Sequence, residues 1–175
     1  MPVIDIRPAR AADLPAMLSI YNEVIENSTA VYALAPSTLA ERQAWFDART
    51  SAGFPVLVAM RSGEVVAFAS FGEFRGAWPG YRYTVEHSVH VHRDLRGRGI
   101  GTALVQALLP LALAMDKHVM IGGIDAANSG SLRMHERLGF ERIAHFREVG
   151  HKFGRWLDLV FVQRLLDAPG AERAG

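Results

Sequence analysis

Arg96-Gly97-Arg98-Gly99-Ile100-Gly101-Thr102 is the stretch that decides how this chain folds and what it holds. The run at about 81–91 before it reads as a strand, and the apolar run after it, to about residue 116, reads as a helix. The glycines therefore occupy a strand-to-helix turn, where they let the chain bend tightly and let a ligand approach the backbone. The first turn of the helix adds unpaired N–H groups and the positive end of its dipole. Together these make a cradle for a pyrophosphate, and Arg96 and Arg98 offer charge to further phosphates. The plainer alternative is a Gly-rich turn flanked by two solvated arginines.

Two pyrophosphate ligands compete for the turn. A dinucleotide site has Gly-x-Gly-x-x-Gly, whereas the spacing here is Gly-x-Gly-x-Gly, although Asp125 ends the next strand roughly where a ribose-binding acid would sit. About 50 residues follow Asp125, too few for the remaining strand–helix units of a doubly wound fold. CoA also carries a pyrophosphate and needs one such cradle.

Outward from the turn, periodicity and capping signals give the order β-α-α-β-β-β-α-β-α-β-β. A first strand is expected at 3–7 and a helix at about 13–27, capped by Asp13. Thr38 and Glu41 have capping-box spacing for a second helix that carries Trp45 and Phe46. Strands at 55–61 and 64–74 join at Ser62-Gly63, and a Gly- and aromatic-rich loop follows at 75–80. Beyond the turn come a buried strand at 118–124, a helix at 129–138 stopped by Gly139, and strands at about 141–149 and 155–164. This order predicts a mixed sheet with helices on both faces, α/β or α+β, in one domain over 1–167 with a frayed tail at 168–175.

Composition narrows the function. Lys plus Arg number 19 against 18 Asp plus Glu, so no basic footprint for nucleic acid or an anionic membrane exists. The chain has no cysteine, which excludes disulfides, thiolate metal sites and a cysteine nucleophile. The start has neither a basic nor a long apolar leader segment, so a cytoplasmic protein is expected. His87, His90 and His92 invite a metal reading, but strand alternation sends His87 and His90 to opposite faces, and no metal is expected.

Arg96, Gly99 and Gly101 resemble the Arg/Gln-x-x-Gly-x-Gly/Ala signature of the Gcn5-related N-acetyltransferases. Residues 128–140, from Asn128 to the Gly139-Phe140 pair, are similar to that family's penultimate helix. Ile20-Tyr21-Asn22, Asn27-Ser28-Thr29-Ala30, the run Thr84-Val85-Glu86-His87-Ser88-Val89 and the run from Lys152 to Asp158 look like its phosphinothricin and methionine sulfoximine/sulfone acetyltransferases. The resemblance covers about residues 3–166 and implies a mostly antiparallel central sheet, splayed to admit acetyl-CoA. It implies that backbone groups of Val89, His90 and Val91 hold the pantetheine arm. The amides of Gly97, Arg98, Gly99, Ile100, Gly101 and Thr102 would hold the pyrophosphate, and Asn128 the pantetheine side. A homodimer is implied as well.

An amine attacks a thioester only when unprotonated, so a general base is needed. With no cysteine, direct transfer in a ternary complex is expected. Glu86, on the strand entering the CoA site, is the candidate base; the alternative is an edge-of-sheet ion pair. His135 stands where many superfamily members carry a tyrosine, and it shares a helical face with Asn128 and Ser131. It is a candidate acid for the leaving thiolate, or a packed helix histidine. The resemblance puts Arg75, Gly76 and Ala77 beside the substrate with Glu86, His87 and Ser88, and Arg82 lies just beyond. An amino-acid carboxylate suits an arginine, and Phe74, Trp78 and Tyr81 could wall its side-chain pocket. The reading is an acetyl-CoA-dependent N-acetyltransferase of a small amino-acid analogue: methionine sulfoximine, methionine sulfone or phosphinothricin. Rival readings are a protein N-terminal or polyamine acetyltransferase, a non-catalytic CoA sensor, and, more distantly, a nucleotide-binding oxidoreductase.

Overall fold

β2 (Val56–Arg61) and β3 (Glu64–Glu73) are apolar on both faces, and seven consecutive residues of β3 are buried. Such strands need cover from both sides. In a computed structural model describing residues 4–166, helices supply that cover. On one face α1 (Leu14–Asn27) packs Leu14, Met17 and Ile20 against Val56, Val58 and Phe68. α2 (Leu39–Ser51) lies beside α1 on this face. On the other face α3 (Ile100–Ala114) packs Leu104, Val105, Leu108 and Ala112 into the larger core with Ala67, Phe71, Val85 and Met120.

The remaining elements are β1 (Asp5–Pro8), β4 (Thr84–Val91), β5 (Val119–Asp125), α4 (Ser129–Arg137), β6 (Glu141–Lys152) and β7 (Arg155–Leu165). The sheet order is β1-β2-β3-β4-β5-β7-β6. Every neighbouring pair is antiparallel except β4 and β5. That parallel pair holds for only three residue pairs, Thr84 with Val119 to Glu86 with Ile121. Beyond Glu86, β4 still pairs with β3 but has left β5, so the sheet opens.

The expected element order holds, and details differ. The capping box forms: Glu41 N–H donates to Thr38 Oγ1, and Thr38 N–H to the Glu41 carboxylate. Asp13 does not cap α1. Its carboxylate takes two hydrogen bonds from the Arg7 guanidinium at 2.8 Å and one from Arg10 N–H, which fixes a short 3-10 turn ahead of α1. β4 starts at Thr84 rather than 81, because Pro79–Tyr81 form a 3-10 turn. The expected tail at 168–175 lies outside the described residues. No described helix is long and apolar enough to cross a membrane.

Candidate active site

The opening between β4 and β5 leaves backbone groups without a strand partner. His92 N–H donates to Val66 O on β3. Strand alternation therefore turns the amides of His90 and Ser88 toward β3, and those of Val89 and Val91 toward the gap. Arg96 Nε donates to Val91 O at 3.1 Å from that same open side.

At the end of the gap stands the Gly-rich turn. Gly99 is the residue before α3 and has φ of +81°, a conformation glycine adopts without strain. The first amides of α3 thus face a cavity of about 480 Å³. Val89, His90 and Val91 of β4 line it, with Arg96, Gly97 and Gly99 of the turn, Ile100, Gly101 and Thr102 at the start of α3, Asn128 before α4 and Ser131 on it. Arg98 is exposed and outside this lining. Arg96 is held by Glu23, 2.5 Å away, which occupies part of the charge expected for phosphates. Asn128 Oδ1 accepts from Ser131 N–H as the cap of α4, which leaves its side-chain N–H groups to a ligand. Open strand amides, a helix N-terminus and a cavity joining them fit the pantetheine and pyrophosphate of acetyl-CoA.

A second cavity, about 660 Å³, shares Val89, His90, Asn128 and Ser131 with the first. Glu86, His87, Ser88 and His135 line it. Glu86 has no ion pair within 4.0 Å among the described residues. Burial pushes its carboxyl up from the ordinary range, and Arg49 pulls it partly back. Arg49 reaches this position by lying on Gly72, where a Cβ would overlap its guanidinium; Gly72 is the β3 partner of Glu86.

His87 and His90 face opposite sides of β4. His90 packs against Tyr21 and Phe68, while His87 turns to α4. His135 is 2% exposed, and its Nε2 lies 2.8 Å from Nε2 of His87. His87 Nδ1 lies 2.9 Å from Ile121 O, and His135 Nδ1 2.8 Å from Ser131 O. Three such contacts need three protons, and two neutral imidazoles carry two. Burial, then His135, pushes the His87 pKa down to about 3, and burial also lowers that of His135, so the resting pair is neutral. The pair consequently has room for one more proton. Phe140, from the Gly-Phe pair, packs against both rings.

Arg75, Gly76, Ala77 and Arg82 line neither cavity. The Arg75 guanidinium instead lies over the Trp78 and Tyr81 rings, 5.0 and 5.5 Å from their centroids. Sequence reasoning noted Ser28, Thr29 and Ala30 only as part of a motif and missed that residues 28–37 form the opposite wall, to which Ala30, Val31, Ala33, Ala35, Pro36 and Ser37 contribute. Asn22 holds Ser37 by both backbone groups, Tyr32 OH donates to Asp158 O, and Lys152 Nζ donates to Ile25, Ser28 and Val31 carbonyls at 2.5, 2.9 and 2.7 Å. Asn22, Lys152 and Asp158 belong to the motifs noted in the sequence, and their role here is to fix this wall. Tyr21, Arg42 and Trp45 complete it, and no local sequence signal marks Arg42 as more than a helix surface residue.

The chain is similar to known proteins along nearly its whole length. An L-methionine sulfoximine/L-methionine sulfone acetyltransferase of Pseudomonas paraeruginosa is 51% identical over 93% of this chain and 94% of its own. A phosphinothricin N-acetyltransferase of Streptomyces coelicolor is 32% identical over 93% and 96%. The yncA acetyltransferase of Salmonella typhimurium, solved with its cofactor acetyl-CoA, superposes with a TM-score of 0.91 at 43% identity, covering 98% of this chain and 99% of that one. The sequence model of the acetyltransferase (GNAT) family matches residues 17–140. With the splayed sheet, the glycine cradle and these likenesses in agreement, this chain belongs to the GNAT family of acetyltransferases.

Proposed function

We propose that the enzyme transfers the acetyl group of acetyl-CoA to the α-amino group of a small amino-acid analogue: methionine sulfoximine, methionine sulfone or phosphinothricin. One observation carries this reading: the cavity at the Gly-rich turn shares part of its lining with a second cavity that holds an unpaired, half-buried carboxylate, Glu86. The names of the relatives supply the acceptor class.

Acetyl-CoA supplies the acetyl thioester. Glu86 accepts a proton from the substrate ammonium, directly or through a water, and frees the nitrogen lone pair. Val89 N–H, turned to the gap, donates to the acetyl oxygen as it gains charge. The nitrogen–carbon bond forms and the carbon–sulfur bond breaks. The nitrogen's surplus proton passes to the departing sulfur, directly or through a water, so CoA leaves as the thiol; the ring nitrogens of His87 and His135 are engaged with each other and with Ile121 and Ser131 carbonyls, and the pair positions this wall. One proton, that on Glu86, is released to solvent.

The working unit is proposed to be a homodimer. Phe146, Val149, Phe153 and Trp156 on β6 and β7 and the turn between them are exposed apolar side chains, which support such pairing. Arg75, Gly76, Ala77 and Arg82 are assigned to the acceptor on resemblance alone, and a second chain is what would bring them to it. A monomer mass by sedimentation would remove that assignment. The cytosol is the proposed compartment, since acetyl-CoA is the co-substrate, and cell fractionation tests it.

The test of function is thiol release from acetyl-CoA with methionine sulfoximine, methionine sulfone, phosphinothricin, common amino acids, a polyamine and a short peptide. Turnover confined to the amino-acid analogues is expected. Turnover with peptide or polyamine alone would discard the acceptor assignment. Binding of acetyl-CoA without turnover would leave a sensor.

A further inference from the structure

The acceptor cavity holds a cation that makes no ion pair among the described residues. Arg42, on α2, is 5% exposed and lines this cavity together with Glu86. Its guanidinium lies 4.0 Å from the Tyr21 ring centroid and 4.7 Å from that of Trp45. No Asp or Glu pairs with it among the described residues, and its Nε has no hydrogen-bond partner. Glu41, the carboxylate beside it in sequence, is committed to the cap of α2.

A buried charge without a counter-charge is costly. The aromatic faces and the Tyr21 hydroxyl offset part of that cost, but the Nε–H is left without a partner. What completes such an edge is a planar anion bound by two parallel hydrogen bonds. The same cavity also carries the opposite charge. Glu86 and Asp125 are both in its lining, and Asp125 Oδ2 is buried without a partner while Oδ1 accepts from Ala127 N–H. A cation and carboxylates, each unpaired within one cavity, match the two charges of an amino-acid zwitterion. Arg75, the other candidate for the substrate's carboxylate, lies outside the cavity on Trp78 and Tyr81.

We propose that Arg42 binds the α-carboxylate of the acceptor and thereby restricts the enzyme to free amino acids. The inference rests on the reading that this cavity takes the amino-acid acceptor. A peptide N-terminus, whose neighbouring carboxyl is an amide, would lack the anion that Arg42 binds.

The experiment compares kcat/KM for methionine sulfone and for its α-carboxamide, which lacks the anion, in wild type, Arg42→Gln and Arg75→Ala. Wild type is expected to favour the acid by about 100-fold, the scale of a desolvated charge pair left with one partner. In Arg42→Gln that preference collapses because the acid alone slows, and the thermal upshift given by methionine sulfone disappears while that given by acetyl-CoA stays. A preference that survives in Arg42→Gln, or that is lost in Arg75→Ala instead, overturns the proposal. Should Arg42→Gln fail to fold, Arg42→Lys takes its place. It keeps the charge without the planar fork, so the preference must narrow by about tenfold, and an unchanged preference overturns the proposal. Turnover of neither acceptor by wild type would instead overturn the function on which the inference rests.

Discussion

Burial and Arg49 act on Glu86 in opposite directions, and burial wins. The base form of Glu86 is therefore populated only above a pKa higher than that of a free carboxylate, which moves the acidic limb of kcat/KM upward in pH. Glu86→Gln should cost about 10²–10⁴ in kcat/KM, the usual weight of a general base, and should abolish that limb. Retention of the limb in Glu86→Gln would place the base elsewhere. Thermal upshift by acetyl-CoA should be unchanged, because Glu86 lines only the acceptor cavity. Glu86 and His135 were legible in the sequence because each lies at a fixed offset from a recognisable motif. Arg42 was not, because its meaning depends on what surrounds it: among the helix-surface charges of α2 nothing separates it from Arg49 until Tyr21, Trp45 and Phe68 enclose it.

Elements differ in how far local chemistry settles them. The Thr38–Glu41 box, four residues complete in themselves, was readable and formed. Asp13 had the right residue type for a cap, but Arg7 lies within reach on β1, and a bidentate ion pair outcompetes a single cap bond. The wall at 28–37 has no periodicity to read, since tethers from distant elements hold it. Lys152 is the strongest tether: 3% exposed, it satisfies three carbonyls at and beyond the end of α1. Lys152→Met would leave those carbonyls without a donor and is expected to cost about 3 kcal/mol of stability. Chemical denaturation measures it; a loss below about 0.5 kcal/mol, as at an ordinary surface site, would mean that water replaces the ammonium. Acceptor KM should rise more than acetyl-CoA KM, since the loosened wall belongs mainly to the acceptor cavity.

At the scale of the molecule, the order of elements could be read from sequence, but the place of β7 between β5 and β6 could not, since antiparallel pairing follows from long-range packing. Folding also buries His87 of β4 and half-buries His90. His87 is driven to about 3 and His90 to about 4, in both cases chiefly by burial, from an ordinary value of 6.5. Between 6.5 and those values the unfolded chain binds more protons than the folded one, so stability is full above pH 6.5 and falls as the pH drops toward 4. Melting temperature against pH should show that slope, and His90→Asn should flatten it; an unaltered slope would assign it to other groups. The early parting of β4 from β5 has one more consequence. It leaves a sheet that is one strand short in its middle, with Val89 and Val91 N–H groups available to any extended, amide-bearing chain. The pantetheine arm is such a chain, so acetyl-CoA acts as the absent strand. Val89 and Val91 should exchange their amide hydrogens rapidly in the free enzyme and slowly once acetyl-CoA is bound, while His90, already bonded to β3, changes little. The cofactor thus shields an edge that, left open, would invite the strands of other molecules.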